Sequence, residues 1–107
     1  MKQITYDKLL NLITYSANTA KVRDAWYSVG GVQVYLRLRH NSITIANVSV
    51  IVKKRGKGIF TSFLFWCEEN SANVIVENVL NNRLEIFLEK RGYVRINNSP
   101  ASWSNTL

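Results

Sequence analysis

The apolar positions change period several times along the chain, and each change marks an element. Tyr6, Leu9, Leu10 and Ile13 recur at i, i+3, i+4 and i+7, which predicts a helix over residues 6–17. Thr5 stands where a side-chain oxygen can cap it, and Asp7 suits the positive end of its dipole. Trp26 to Val29 reads as a short strand, with Gly30-Gly31 as the turn or bulge after it. Val32, Val34, Leu36 and Leu38 then alternate with Gln33, Tyr35, Arg37 and Arg39, the pattern of a half-buried strand. His40-Asn41-Ser42 turns the chain into the next strand.

That strand, residues 43–52, slips out of phase. Ile43 and Ile45 occupy odd positions, whereas Val48, Val50 and Val52 occupy even ones. One extra residue near Ala46-Asn47 returns both sets to one face, so a β-bulge is predicted there. A strand buried on both faces would need no bulge. An apolar helical run to about Glu69 follows the loop Lys53 to Gly58, and residues 73–79 read as a further strand. A helix is predicted over 82–91, with Asn82 as N-cap, Glu85 completing a capping box and Gly92 ending it. Tyr93 to Ile96 reads as a closing strand, and Asn97 to Ser102, which holds Pro100, as a turn. A strand–helix–strand order needs a crossover, so 43–52 and 73–79 are expected to be parallel neighbours in an α/β (α+β) fold.

Composition narrows the class. The 107 residues fit one domain, residues 1–107, and 47% hydrophobic content with 3 Trp, 5 Tyr and 4 Phe supplies a core. The lone Cys67 forbids an intrachain disulfide, and one Cys with one His (His40) is too few for a zinc site of that kind, so no metal is expected. The start resembles no signal peptide, and the apolar run Ile59 to Cys67 is too short to span a bilayer. The expectation is a soluble, cytoplasmic protein with no membrane partner. The net charge of +7 is uneven: residues 1–57 carry 10 Lys/Arg against 2 Asp/Glu, and residues 58–107 carry 4 against 5. A basic half of this kind suits a phosphorylated cofactor, a nucleic acid or an acidic protein, or serves only as a solubilising surface.

The loop Lys53-Lys54-Arg55-Gly56-Lys57-Gly58 sharpens this reading. It lies between a strand and a helix whose first N–H groups have no partners within the helix and favour an anion. Gly56 and Gly58 let a ligand approach the backbone, and the Thr61 hydroxyl lies in the first turn. The spacings of a P-loop and of a dinucleotide loop are both absent.

Arg55-Gly56-Lys57-Gly58-Ile59 resembles the pyrophosphate loop, [Q/R]-x-x-G-x-[G/A], of the GNAT N-acetyltransferase superfamily, with Phe60 where that family usually has Gly or Ala. Asn82 to Tyr93 resembles a second block of the family, ending Glu89-Lys90-Arg91-Gly92-Tyr93. The two cover about residues 43–96. The resemblance implies a mixed sheet with a bulged central strand flanked by helices, and acetyl-coenzyme A in the gap beside that strand. It implies that backbone of Val48 to Val50 holds the pantetheine arm. By the same resemblance the backbone N–H groups of Arg55, Gly56, Lys57, Gly58, Ile59 and Phe60 hold the pyrophosphate, to which the Thr61 hydroxyl is a further donor on the reading above, and Asn82 faces the cofactor, although Asn82 also reads simply as a cap. The family's base and acid positions fall at Asn47 and Leu88, neither of which carries the usual Glu or Tyr. Ser49, Tyr93 and Glu77 are the substitutes, whereas Cys67 reads as a core cysteine and His40 as a turn residue. Two functions follow: acetyl transfer to an amine of a small molecule or protein, or a catalytically silent module whose basic half binds an acidic protein or nucleic acid. Either fits a monomer or a homodimer.

Overall fold

A computed structural model describes residues 2–19, 23–39, 41–50, 56, 58–97 and 99–106. The elements run β1 (Lys2–Gln3), α1 (Tyr6–Thr19), β2 (Arg23–Val29), β3 (Val32–Arg39), β4 (Ser42–Val50), α2 (Ile59–Asn70), β5 (Asn73–Val76), α3 (Asn82–Lys90), β6 (Val94–Ile96) and β7 (Ser99–Ser104). The strands form one mixed sheet in the order β1-β2-β3-β4-β5-β7-β6. β4 and β5 are parallel, as the crossover through α2 requires.

Sequence pattern explains most of this. The alternation along β3 buries Val32, Val34, Leu36 and Leu38 completely on one face. Against that face pack Leu9 and Ile13 of α1 and Phe63, Leu64 and Cys67 of α2. Tyr6 of α1 lies against Phe63 and Trp66 of α2, and Phe60 of α2 faces Phe87 of α3, so the helices lie side by side in one layer. The Cα extents of 36 × 35 × 20 Å match such a stack of one sheet and one helical layer. The opposite sheet face carries the Trp26–Tyr35 edge-to-face pair and the ion pairs Arg37–Glu77 and Arg39–Asp24.

The termini of the helices follow their chemistry. Thr5 Oγ1 accepts from Lys8 N–H at 3.2 Å and so caps α1. At the end of α3, Gly92 takes φ +89°, its N–H donates to Glu89 O and Tyr93 N–H donates to Leu88 O, which is a Schellman closure.

Three expectations are corrected. The N-cap of α3 is Asn81, not Asn82: Asn81 Oδ1 accepts from Leu84 N–H at 3.1 Å. Glu85 then sits outside a capping box and pairs with Arg95 instead. The strand expected over 73–79 ends at Val76, because the chain turns away from β4 there. The stretch expected as a turn is β7, which inserts between β5 and β6. Its ladder is broken between Ser99 and Trp103, and Pro100 falls inside that break, where a missing N–H costs least.

Candidate functional site

The bulge expected from the phase slip is present. Tyr35 pairs with Asn47 and Leu36 with Ile45, which leaves Ala46 as the extra residue. The slip carries Val48 onto the face already occupied by Ile43 and Ile45, opposite Val34. It also marks where β4 and β5 part. Their ladder covers Ser42–Ile45 against Asn73–Val76, and one further bond follows, from Glu77 N–H to Ile45 O at 2.9 Å. Beyond it the strands splay.

The splay frees backbone groups of β4. Ile45 turns its carbonyl toward β5, and the Val34–Val48 pair continues the phase of the Leu36–Ile45 pair. Side-chain face and backbone direction are coupled in a strand, so Val48 turns its N–H into the gap, and Val50 repeats that phase. The Val48 N–H is held by its neighbour's side chain, Asn47 Oδ1, at 2.9 Å. That oxygen occupies the place of an external acceptor.

At the splayed end of β4 lies a cleft of about 430 Å³, lined among the described residues by Val48 and Ser49 of β4, Phe60 and Thr61 of α2, and Asn81, Arg83, Leu84 and Phe87 of α3 and its N-cap. Two helix starts meet there. α2 begins after Gly58, which has φ +73° and gives the helix no side-chain cap. Its first ladder bond runs from Ser62 N–H to Gly58 O, so the N–H groups of Ile59, Phe60 and Thr61 precede the helix's own bonding. The first turn of α2 holds no acidic residue. α3 contributes Asn81, Arg83 and Leu84 from its own start. Among the described residues the lining therefore has one cation, Arg83, and no carboxylate, a lining suited to an anion.

Sequence-based candidates distribute unevenly over this site. Ser49, Phe60 and Thr61 line the cleft, and Gly56 and Gly58 both take the left-handed backbone (φ +77° and +73°) that favours glycine. Ile59 opens α2. Arg55 and Lys57, with Lys53, Lys54 and His40, lie outside the described residues. Phe60, which replaces a small residue of the resembled loop, finds room against Phe87, 6.3 Å between ring centroids. Asn82 is not among the lining residues; Asn81 and Arg83 on either side of it are.

Three other candidates are committed elsewhere. The Tyr93 hydroxyl donates to Glu68 Oε2 at 2.7 Å, and Glu68 Oε1 takes Arg91 at 2.5 Å. Burial first, and then the Glu68 contact, push the Tyr93 hydroxyl far above its ordinary range, and Tyr93 is not among the residues that line the cleft. Cys67 is fully buried, and burial pushes its thiol up as well, in keeping with a core cysteine. Glu77 pairs with Arg37 at 2.6 Å beside the vertex of the splay. Leu88, at the resembled acid position, is fully buried.

Sequence reading missed Asn78, Asn81 and Arg83. Asn78 has φ +57° and donates its side-chain N–H to Ala46 O at 2.7 Å. An asparagine three residues before Leu84 was the available signal for Asn81, masked by the tandem Asn81-Asn82.

No family model matches the chain, and no curated protein sequence does. A solved structure does share its fold: a crystal structure of a "putative acetyltransferase" from Agrobacterium tumefaciens. It superposes with a TM-score of 0.57 at 14% identity, over 92% of this chain and 87% of that one. At this identity the likeness extends to the fold. Among the described residues no helix is long and apolar enough to cross a membrane, and no group of three or more His, Cys, Asp and Glu is placed to hold a metal ion.

Proposed function

We propose that the cleft at the splayed end of β4, between it and the starts of α2 and α3, binds acetyl-coenzyme A and that the chain is an N-acetyltransferase acting on an amine of a small molecule or protein. The observation that carries the reading is the coincidence, in one cleft, of a bulge-made gap in the sheet with the uncapped start of α2. The backbone N–H groups of Ile59, Phe60 and Thr61, with Arg55 and Lys57 from the same loop, hold the pyrophosphate. Gly56 and Gly58 allow that approach. Val48 and Val50 present backbone groups to the amides of the pantetheine arm, once Asn47 Oδ1 yields the Val48 N–H. Arg83 adds a guanidinium at the cleft for a phosphate. Acetyl-coenzyme A supplies an activated thioester when bound.

The protein's contribution to transfer is then mainly alignment of an amine with that thioester. The resembled base position is Asn47, whose carboxamide accepts from Val48, and the described cleft-lining residues include no carboxylate. The acceptor amine therefore loses its proton to solvent and the departing thiolate takes one from solvent, with Ser49 as a hydroxyl relay at the cleft and Glu77 as the carboxylate beside the vertex. A second reading, a silent cofactor-fold module that binds an acidic protein or nucleic acid, draws support from the burial of Leu88 at the acid position.

Calorimetry on the whole chain tests the binding. Acetyl-coenzyme A is expected to bind at least ~100-fold tighter than the acetyl thioester of N-acetylcysteamine, which lacks the phosphates. Arg83→Ala is expected to weaken acetyl-coenzyme A by about tenfold, or about 1.4 kcal/mol. A well-folded chain that takes up no acetyl-coenzyme A sinks the proposal. Binding without amine-dependent thiol release across an amine panel selects the silent module.

A further inference from the structure

The chain changes partner as it leaves β5. Glu77 N–H donates to Ile45 O of β4, whereas Val79 N–H donates to Ala101 O of β7, both at 2.9 Å. Asn78 sits between them with φ +57°. Among the described non-glycine residues only Asn41, in the β3–β4 turn, shares that left-handed backbone. Asparagine tolerates this region better than most side chains. From here the Asn78 carboxamide reaches back across the gap and donates to Ala46 O at 2.7 Å.

The acceptor matters. Ala46 is the residue the bulge inserts, so its carbonyl lies outside the regular β3–β4 ladder, yet the residue is buried, with 4% of its surface exposed. A buried carbonyl needs a partner. A backbone N–H from β5 could serve only if β5 kept alongside β4, and that would close the gap. A side-chain amide serves while the backbone turns away. The left-handed turn and the carboxamide reach are two parts of one device, and asparagine supplies both.

We propose that Asn78 is a positioning residue that holds the β4–β5 cleft open, acting through the Ala46 carbonyl on the backbone of β4 from Asn47 to Val50. This rests on the reading of the cleft as a cofactor site. Glycine at 78 keeps the backbone conformation and loses the reach. Aspartate keeps the reach and the tolerance of the left-handed region, but sets a carboxylate against the carbonyl.

The experiment pairs NMR of the free protein with calorimetry on Asn78→Gly and Asn78→Asp. In Asn78→Gly, backbone amide signals of Ala46 to Val50 are expected to shift from their wild-type positions, while those of β2 stay in place. Its melting temperature is expected to stay within about 5 °C of wild type, because relieved backbone strain offsets the lost bond. Acetyl-coenzyme A affinity is expected to fall about tenfold or more in both variants. A purely structural role would lower the melting temperature and leave the affinity of the folded protein unchanged, and that result overturns the proposal. Unmoved β4 signals in Asn78→Gly overturn it as well, even if Asn78→Asp fails to fold. Shifted β4 signals in a chain whose wild type does not bind acetyl-coenzyme A overturn the cofactor reading and uphold the role of Asn78 in setting the gap.

Discussion

Glutamate in place of Gly58 is expected to lower acetyl-coenzyme A affinity at least ~100-fold, whereas lysine at the same position leaves it within about tenfold of wild type. Gly58 immediately precedes the first turn of α2 and has φ +73°. A Cβ built there meets no described atom within 4 Å beyond its chain neighbours, so both side chains start in open space. Both pay the same left-handed backbone cost, about 1–2 kcal/mol. The comparison between them therefore isolates charge. A carboxylate about 5 Å from a bound phosphate is repelled by roughly 3 kcal/mol at an effective dielectric of about 20. It also competes as an internal ligand for the N–H groups of Ile59 to Thr61. Calorimetry on the two variants, with circular dichroism to verify folding, gives the answer. Equal loss in both would mean that backbone strain and not an anion site governs Gly58.

The bulge and the loop were legible for different reasons. The bulge leaves a phase slip, because alternation has a period of two and one inserted residue moves every later side chain to the other face. Ile43 and Ile45 against Val48 and Val50 record that directly. The cradle at α2 is legible because two glycines and four cations sit between a strand and a helix. The α3 cap was misplaced by one residue because Asn81 and Asn82 are both good caps and Glu85 completed a box only with the second. Local preference could not see that Leu84 lines the cleft and Leu88 fills the core, and that tertiary contact sets the helix register.

Other features leave no local trace at all. Ser99–Ser104 has weak strand propensity and contains Pro100, yet it is drawn into the sheet by long-range pairs, Ile75 with Ser104 and Val76 with Trp103. The role of Asn78 depends on Ala46, 32 residues earlier in the chain. Tyr93 was a candidate because an acidic hydroxyl was missing from the expected position. Only the fold shows that the Tyr93 hydroxyl already donates to Glu68 of α2.

That commitment carries the other large effect, a loss of stability in alkali. The Cys67 thiol and the Tyr93 hydroxyl are both pushed well above their ordinary values of 9.0 and 10.0, chiefly by burial. Each is an acid whose charged form the folded state disfavours. The unfolded chain therefore releases these protons first as the pH rises. Their stabilisation is complete below about pH 9 and declines above it, by at most ~1.4 kcal/mol per pH unit for each group. At pH 11 the two together are expected to cost about 4 kcal/mol, a large share of the stability of a small domain. Urea denaturation at intervals from pH 8 to pH 11 measures this in wild type, Tyr93→Phe and Cys67→Ala. Each variant starts from lower stability at pH 8, since phenylalanine removes the hydroxyl donor to Glu68 and leaves it Arg91 alone, and alanine leaves a cavity. Each is nonetheless expected to lose less on going to pH 11. The other ionisable side chains are common to all three proteins, so the difference in slope belongs to the deleted group and to its contact with the other one. Parallel slopes would remove the burial argument, and with it the reason for excluding Tyr93 from catalysis. The expected divergence would instead mean that the Tyr93 hydroxyl keeps its proton, donated to Glu68, throughout the range in which an amine acceptor reacts.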